Sequence, residues 1–397
     1  MKILHINKFF YPKGGTETYL FSLMNLLEKK GHKNVTFSQK HPLNYPSPNS
    51  DLFISDLPLD KFSWSSFWRL GRLFWSFSAA RKISALIKKE RPDLIHLHNI
   101  YHQISPSILP AIKKFNLPIV MTVHDFKLIK HDYTLRIGQN QPAKNSRLVD
   151  LLLKLEFAFH KKINIYRRYV DMFIAPSLFV KEQLIKNGFD AQKIIVIPHF
   201  IDLERYQTQP KPIGYPYVLF FGRLDESKGA DVLINAFAQI KTDHKLVIIG
   251  SGPEEINLKN QVKKLNLTDK VVFIGRKEKN ELLNFIQNAD FAVFPSRVHE
   301  TFGLGALETF ACGKPVIASR AGSFNNLIQP QQTGLLFTSD NHQELAEQIQ
   351  YLLDNPNETT RMGKNAYAFS LDYSANKHYE KISAIYEALI DYEKKKK

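Results

Sequence analysis

The stretch from Glu300 to Glu308, Glu-Thr-Phe-Gly-Leu-Gly-Ala-Leu-Glu, constrains the fold of this chain more than any other. Before it, Phe291-Ala-Val-Phe runs into Pro295-Ser296, a short apolar run stopped by proline that reads as a strand buried in a sheet. After it, Leu304, Leu307 and Phe310-Ala311 recur at helical spacing as far as Gly313, where Pro315-Val-Ile-Ala318 begins a second strand. Strand, loop, helix, strand is the unit of an open parallel sheet, whose ligands sit beyond the carboxyl ends of the strands. A helix starting near Gly303 turns free backbone N–H groups toward that crevice and favours an anion there. Glu300 precedes the helix and Glu308 lies inside it, so the two carboxylates are placed to accept hydrogen bonds from different hydroxyls of one elongated ligand. An anion between two hydroxyl-binding carboxylates describes a nucleotide sugar. The spacing alone also permits two surface glutamates with no shared role.

At 397 residues the chain is expected to form two domains, each with its own core. With 44% hydrophobic and 23% charged residues it is ordinary for a globular protein. Cys312 is the only cysteine, which excludes an intramolecular disulfide and a Cys-based zinc site and suits a reducing cytoplasm. Met1-Lys-Ile-Leu-His-Ile6 is a strand pattern rather than a signal peptide, and no run approaches the roughly 18 apolar residues of a membrane span.

The charge is one-sided. Residues 1–200 hold 30 Lys and Arg against 14 Asp and Glu, whereas residues 201–397 hold 24 of each, so the formal net charge of +16 belongs to the first half. A basic domain of this kind implies a polyanionic partner, either nucleic acid or anionic lipid. Trp64, Trp68 and Trp75 lie in the same half at offsets that share one face of a helix over residues 62–89, with Leu70, Leu73, Phe77 and Ala80 on a second apolar face. If that second face packs on the sheet, the tryptophan face is left for an anionic membrane surface; burial of both faces is the alternative.

In chain order, strand Ile3–Ile6 empties into a turn holding Gly14-Gly15; paired glycines let backbone approach a phosphate closely, and a plain tight turn is the alternative. His96 and His98 alternate with leucines on a strand; with no third ligand at suitable spacing they read as satisfied polar groups, and no metal site is expected. Strand Pro118–Val123 ends in His124-Asp125 at a carboxyl edge, followed by a long basic loop over 126–150 and a helix over 151–168. The Pro- and Gly-rich stretch 206–216 marks the domain boundary. Strand Tyr217–Phe221 then delivers Gly222-Arg223 and Lys228-Gly229, a natural diphosphate clamp in which Arg binds bidentately and Lys as a point charge. The turns at Gly250-Ser-Gly252-Pro253 and Gly275-Arg276 follow strands at the same sheet edge.

Together, Gly222-Arg-Leu-x-x-x-Lys228-Gly229, Gly250-x-Gly-Pro253, Pro295-Ser296, Glu300-x-Phe302-Gly303-Leu304, Leu307-Glu308 and Gly313-x-Pro315-Val-Ile-Ala318 resemble the retaining family 4 glycosyltransferases of the GT-B fold. The first half adds Gly14-Gly15-x-Glu17, His96-x-His98-Asn99 and Val123-His124-Asp125, which are similar to members building bacterial surface polysaccharides. The resemblance implies two Rossmann-like doubly wound α/β domains facing a central cleft: an acceptor-binding domain over 1–205, a nucleotide-sugar domain over 206–372, and a helix over 373–397 crossing back to the first. It implies that Arg223 and Lys228 hold the donor diphosphate with the backbone of Gly303 and Leu304 and the Gly14-Gly15 turn. Glu300 would bind donor-sugar hydroxyls, Glu308 the ribose, Arg276 the base, and His124 would sit near the reacting carbon, with Asp125, Gly222, Gly252, Thr301 and Phe302 completing the site. The chain departs from the family pattern at Asn325-Asn326 and at Pro198-His199-Phe200.

Cleavage of the sugar–phosphate bond develops negative charge on the leaving diphosphate, which two cations and a helix start can stabilise. No Asp-x-Asp occurs, so no carboxylate-held metal and no other cofactor is expected. Glu300 as a hydroxyl ligand favours front-face attack over a double displacement. The expected partners are a UDP- or GDP-sugar donor, a lipid-linked glycan acceptor and an anionic membrane at the cytoplasmic face. A nucleic-acid-binding protein accounts for the charge but for neither the clamp nor the glutamates, so no nucleic acid is expected. A GT-B relative such as a sugar-nucleotide epimerase or a non-catalytic homologue is the remaining alternative.

Overall fold

The computed structural model describes residues 1–56, 67–102, 104–137, 147–207 and 209–396. The chain divides into two compact α/β units, one comprising Met1–Thr134, Gln141–Pro198 and His378–Lys397, the other Leu135–Asn140 and His199–Lys377.

The first unit is built on β1 (Lys2–Ile6), β2 (Lys33–Phe37), β3 (Leu94–Leu97), β4 (Ile119–Thr122), β5 (Met172–Ala175) and β6 (Ile194–Val196), all parallel, in the order β2-β1-β3-β4-β5-β6. Its helices are α1 (Gly15–Lys29), α2 (Phe67–Phe74), α3 (Phe77–Glu90), α4 (Ile108–Lys113), α5 (Arg147–Lys162), α6 (Ile165–Tyr169) and α7 (Leu178–Lys186). Every residue of β3 and β4 is buried, because a parallel sheet is covered on both faces by its crossover helices. The winding reverses between β1 and β3, and ligands of such sheets bind at that switch point.

The second unit repeats the plan with β7 (Tyr217–Phe221), β8 (Lys245–Ile249), β9 (Val271–Gly275), β10 (Phe291–Phe294), β11 (Val316–Ser319) and β12 (Gly334–Phe337), again all parallel, in the order β12-β11-β10-β7-β8-β9. Between them run α8 (Ala230–Phe237), α9 (Glu255–Lys264), α10 (Lys279–Asn288), α11 (Leu304–Ala311) and α12 (Phe324–Leu327), followed by α13 (His342–Asp354) and α14 (Pro356–Ser370). Phe220, Phe237, Phe291 and Phe337 fill its core. The switch point lies between β7 and β10, so the Arg223 turn and the Glu300 turn leave adjacent strands. The last helix, α15 (Ala375–Lys395), belongs to the first unit from His378 onward. There the Tyr386 hydroxyl meets His96 Nδ1 at 2.6 Å, and His378 Nδ1 donates to the Pro198 carbonyl at 2.8 Å.

Four details differ from the sequence reading. The division falls between Pro198 and His199, ahead of the Pro- and Gly-rich stretch. That stretch is anchored within the second unit, where the Lys211 N–H donates to Asn284 Oδ1 at 2.6 Å and Tyr215 packs on the core. Residues 62–89 are not one helix. Trp64 lies outside the described residues, Trp68 belongs to α2, and half-buried Trp75 follows the end of α2. Ser76 then caps a new helix, its Oγ accepting from the Ala79 N–H at 3.2 Å, so Trp68 and Trp75 do not share a helix. The helix expected over 151–168 likewise breaks before α6, at Asn164 in the left-handed region with φ 50°.

Tight packing of turns fixes the edge of the second sheet. Gly250 has φ 149°, and a Cβ there would lie 1.8 Å from the Gly222 carbonyl oxygen. Gly250→Ala is therefore expected to destabilise the fold by about 2–4 kcal/mol. Gly214→Ala, which meets nothing within 4 Å, is expected to stay within about 0.5 kcal/mol. Urea unfolding of both variants checks the contrast, and equal midpoints would contradict it.

Candidate functional site

In the second unit, β7 runs into Gly222 and Arg223, and a single helical turn, Glu226–Lys228, is capped by Asp225, whose Oδ1 accepts from the Ser227 N–H at 3.0 Å. Gly229 then adopts φ 68°, and a Cβ on it would lie 2.0 Å from the Pro295 carbonyl oxygen. Only glycine lets these two turns approach so closely. The consequence is that Lys228, after β7, reaches Glu300, after β10: Nζ donates to Oε1 at 2.6 Å. Ser296 Oγ donates to the same oxygen at 2.5 Å.

Burial works to lower the Lys228 pKa, but the charge and hydrogen bond of Glu300 more than offset it and hold the ammonium above its ordinary value. Burial likewise works to raise the Glu300 pKa, and Lys228 with Ser296 holds it below the usual carboxylate range. Both groups are therefore charged at neutral pH. Arg223 is 69% exposed with Nε 3.3 Å from Asp225 Oδ2, an arm with room to close on an anion.

Gly303 opens α11 in the left-handed region with φ 95°, and a Cβ there would lie 2.5 Å from the Phe324 ring. The Glu300 backbone pairs with residues 321–323, the Ser323 N–H donating to the Glu300 carbonyl at 3.0 Å. Thr301 is half-buried, as is Leu304 at the first position of α11. Phe302 is buried and packs its ring on His199 and Tyr373, which leaves its backbone for any ligand. Glu308 accepts from the Tyr206 hydroxyl at 3.1 Å; burial raises its pKa against the pull of Lys279, Tyr206 and Arg205. Gly252 approaches the Leu224 carbonyl so closely that a Cβ would lie 2.2 Å from it. Exposed Arg276 follows β9 at the same edge.

The sequence reading missed the brace behind this edge. Arg297 clamps Asp231 through two hydrogen bonds of 2.7 Å, donates to the Glu226 carbonyl at 3.2 Å, and also bonds Asp340. Beside it the Ile137 N–H donates to the Arg297 carbonyl at 2.8 Å and the His299 N–H to the Leu135 carbonyl at 2.7 Å. The loop read as basic is thus partly neutralised: Arg136 lies 3.5 Å from Glu226, and in the first unit Lys127 is buried in a 2.9 Å ion pair with Glu156.

In the first unit, extended Gly14 precedes α1, which begins at Gly15. Buried Glu17 accepts from Asn7 Nδ2 at 2.9 Å, tying the helix to the end of β1. Beyond β4, burial pulls the His124 pKa down to about 3, so its imidazole is neutral. Burial pushes Asp125 up to about 6 despite the Lys127 N–H and the charges of Lys127 and Lys8.

Parallel pairing of β1 with β3 sets His5 opposite His96, and one nitrogen from each of His5, His96 and His98 lies within 4.8 Å of the others. The third histidine not found by spacing along one strand thus comes from the neighbouring strand. Hydrogen bonds account for this group: both nitrogens of His96 are occupied, Nδ1 by Tyr386 and Nε2 by Thr122 Oγ1 at 2.7 Å.

Comparison with known proteins matches the described plan. Residues 13–205 match the family model Glycosyltransferase Family 4, and residues 204–369 match Glycosyl transferases group 1. An uncharacterised glycosyltransferase of Methanocaldococcus jannaschii is 29% identical over 399 residues, spanning 98% of this chain and 99% of that protein. Among solved structures, sucrose-phosphate synthase from Thermosynechococcus elongatus shares the fold with a TM-score of 0.75 at 22% identity, covering 99% of this chain and 100% of that one. HepE from Anabaena, in complex with UDP-glucose, does so with a TM-score of 0.72 at 22% identity, covering 98% and 100%.

The raised pKa of Asp125 has a sign that can be measured. The folded state holds the Asp125 proton more tightly than the unfolded chain, so this group's contribution to stability falls as pH rises from about 4 to about 6 and the cost persists above. Asp125→Asn keeps an acceptor for the Lys127 N–H, now 2.9 Å from Oδ1. It is expected to raise the unfolding midpoint at pH 8 relative to wild type and to lose that advantage at pH 4. An equal effect at both pH values would rule out the assignment.

Proposed function

The chain belongs to the family 4 glycosyltransferases of GT-B type, and on that premise we propose that it moves a hexose from a UDP- or GDP-sugar to a lipid-linked glycan in bacterial surface polysaccharide synthesis. The observation that carries the reading is the meeting of Lys228, Ser296 and Glu300 at the switch point of the second sheet, beside the first turn of α11. A phosphate placed there finds an ammonium, the exposed guanidinium of Arg223 and the N–H groups of a helix start, while the Glu300 carboxylate accepts from sugar hydroxyls. In this reading Glu308, which accepts from the Tyr206 hydroxyl, binds the ribose, and Arg276 borders the base. HepE, of the same fold, is seen with UDP-glucose, which supports a nucleotide-sugar donor.

In the proposed reaction the sugar–phosphate bond breaks as the acceptor hydroxyl attacks from the same face, with retention at the anomeric carbon. The electron pair leaves with the diphosphate, whose charge Lys228 and Arg223 stabilise, and the leaving phosphate oxygen takes the acceptor proton. The cations take the role a metal ion plays elsewhere, and the reaction is expected to persist in excess chelator. His124 and the Gly14-Gly15 turn enter by resemblance, as first-unit contributors at the sugar and the phosphate.

The acceptor side rests on the first unit. Leu151, Leu155, Phe159 and Ile163, spaced by four along α5 and just past its end, are each between 37% and 52% exposed. Lys154, Lys161 and Lys162 accompany this stripe on a unit that carries the excess of positive charge. An apolar stripe with basic company suits adsorption to anionic lipid. This replaces the tryptophan face as the membrane-facing element of the proposal and leaves a peripheral position at the cytoplasmic face. No helix among the described residues is long and apolar enough to cross a membrane.

Release of UDP or GDP from a panel of nucleotide sugars, with and without membrane lipid, tests the reading. Lys228→Ala is expected to lower kcat by roughly 100-fold or more with the unfolding midpoint retained. A near-normal rate would break the diphosphate assignment. Leu155→Glu combined with Phe159→Glu is expected to abolish sedimentation with phosphatidylglycerol vesicles while donor hydrolysis in solution is unchanged. Undiminished sedimentation would remove α5 from the membrane proposal.

A further inference from the structure

Four polar side chains, one from each of four adjacent strands or the turns that follow them, form a line across the first sheet: Asn34 on β2, His5 on β1, His98 after β3 and His124 after β4. The orientation of the Asn34 amide is set at the outer end. Its Nδ2 donates to the Met24 carbonyl at 2.8 Å and to Glu28 Oε1 at 3.1 Å, both of which only accept. Its Oδ1 therefore accepts from His5 Nε2, 3.0 Å away, and the His5 proton lies on Nε2.

His5 is 1% exposed, and burial pulls its pKa down to about 4 against the Asn34 hydrogen bond, so the ring is neutral and Nδ1 is bare. His98 Nε2 lies 3.5 Å from that nitrogen and must donate. With His98 completely buried, a second proton there would place a charge out of water, so its Nδ1 is bare as well. His124 Nε2, 3.0 Å from that nitrogen, must in turn donate. The ring planes agree with a hydrogen-bonded row. Successive centroids are 5.8 and 5.3 Å apart with interplanar angles of 24° and 25°, too far for face-to-face stacking and close to edge-to-edge contact. His96 stays outside the row, since its nitrogens are held by Tyr386 and Thr122.

We propose that the row from Asn34 through His5 and His98 fixes His124 as the tautomer protonated on Nε2, so that Nδ1 is an acceptor. Asn34, His5 and His98 are then positioning residues. Taken with the proposed transfer reaction, on which this step rests, His124 accepts a hydrogen bond from a sugar or acceptor hydroxyl and does not act as an acid. A site built to accept from a hydroxyl discriminates strongly against a substrate lacking it.

The test is the ring 15N spectrum of full-length protein labelled at histidine, with the His124 signals assigned by their loss in His124→Gln. The expected result is a protonated Nε2 and a bare Nδ1 on His124 at neutral pH. A protonated Nδ1 on His124, alone or together with Nε2, would overturn the proposal. Half-buried Asn34 can be changed without opening the core. Asn34→Ala is expected to leave His124 in a mixture of both tautomers and to lower kcat/KM about tenfold, the scale of one hydrogen bond, with the unfolding midpoint kept. His124 ring shifts unchanged in Asn34→Ala would equally overturn it. An Nε2-protonated His124 in a protein that turns over no nucleotide sugar would support the row and count only against the transferase reading.

Discussion

The second unit depends on how closely its strand-end turns approach one another. At Gly229 and Pro295, and again at Gly250 and Gly222, backbone comes so near to backbone that no Cβ fits between. These approaches set the exit of β7 against the exit of β10 and thereby bring Lys228 to Glu300. Hydrophobic burial alone would leave such loops loosely placed, since apolar contact has no direction. The Arg297 brace supplies direction from behind, joining Asp231, Asp340 and the Glu226 carbonyl through one planar guanidinium.

A half-buried ion pair is a weak way to stabilise a fold, because desolvation of both charges cancels most of their attraction. Lys228 and Glu300 are better understood as poised for something else. The pair keeps both groups ionised in the ligand-free protein, as the opposed shifts of their pKa values show. In the proposed reaction an incoming diphosphate offers Lys228 more negative charge than Glu300 does. The carboxylate is then released to hydroxyls, already deprotonated and already in place. Two groups that satisfy each other before binding need little reorganisation when the ligand arrives.

How much of this was legible in the sequence depended on distance along the chain. The turn at Glu300–Glu308 and the clamp at Arg223–Lys228 are local, and glycine, proline and apolar spacing marked their strands and helices directly. That Lys228 and Glu300 form one group could not be read locally, since 72 residues separate them and only the order β10-β7 joins them. The same holds for Arg297 with Asp231 and for His5 with His96 and His98. Each is made by strand pairing rather than spacing. The tryptophan helix misled for a different reason: helical offsets continue through Trp75, but Ser76 offers a better hydrogen bond as a cap than as an interior residue. Phe302 looked like part of the ligand turn and is also part of the packing, a distinction that motif spacing does not carry.

The two sheets use the same switch-point geometry for opposite electrostatic ends. At the edge of the second, charges are kept: an ammonium, a guanidinium and the Glu300 carboxylate, with partners that hold Lys228 and Glu300 in their ionised forms. At the edge of the first, burial removes charge, leaving His5 and His124 neutral and pushing Asp125 toward protonation near pH 6. A charged surface suits the anion of a donor whose bond breaks with charge separation. A neutral one, with protons fixed in position by hydrogen bonds from strand to strand, suits hydroxyl groups, which carry no charge and are told apart only by where donors and acceptors stand. In a transfer reaction the donor brings the charge and the acceptor brings the hydroxyl. Within the proposed reaction, the contrast between the two edges suits a division of labour in which the cations of the second unit carry the charge of the leaving diphosphate and the neutral His124 of the first orients uncharged hydroxyls.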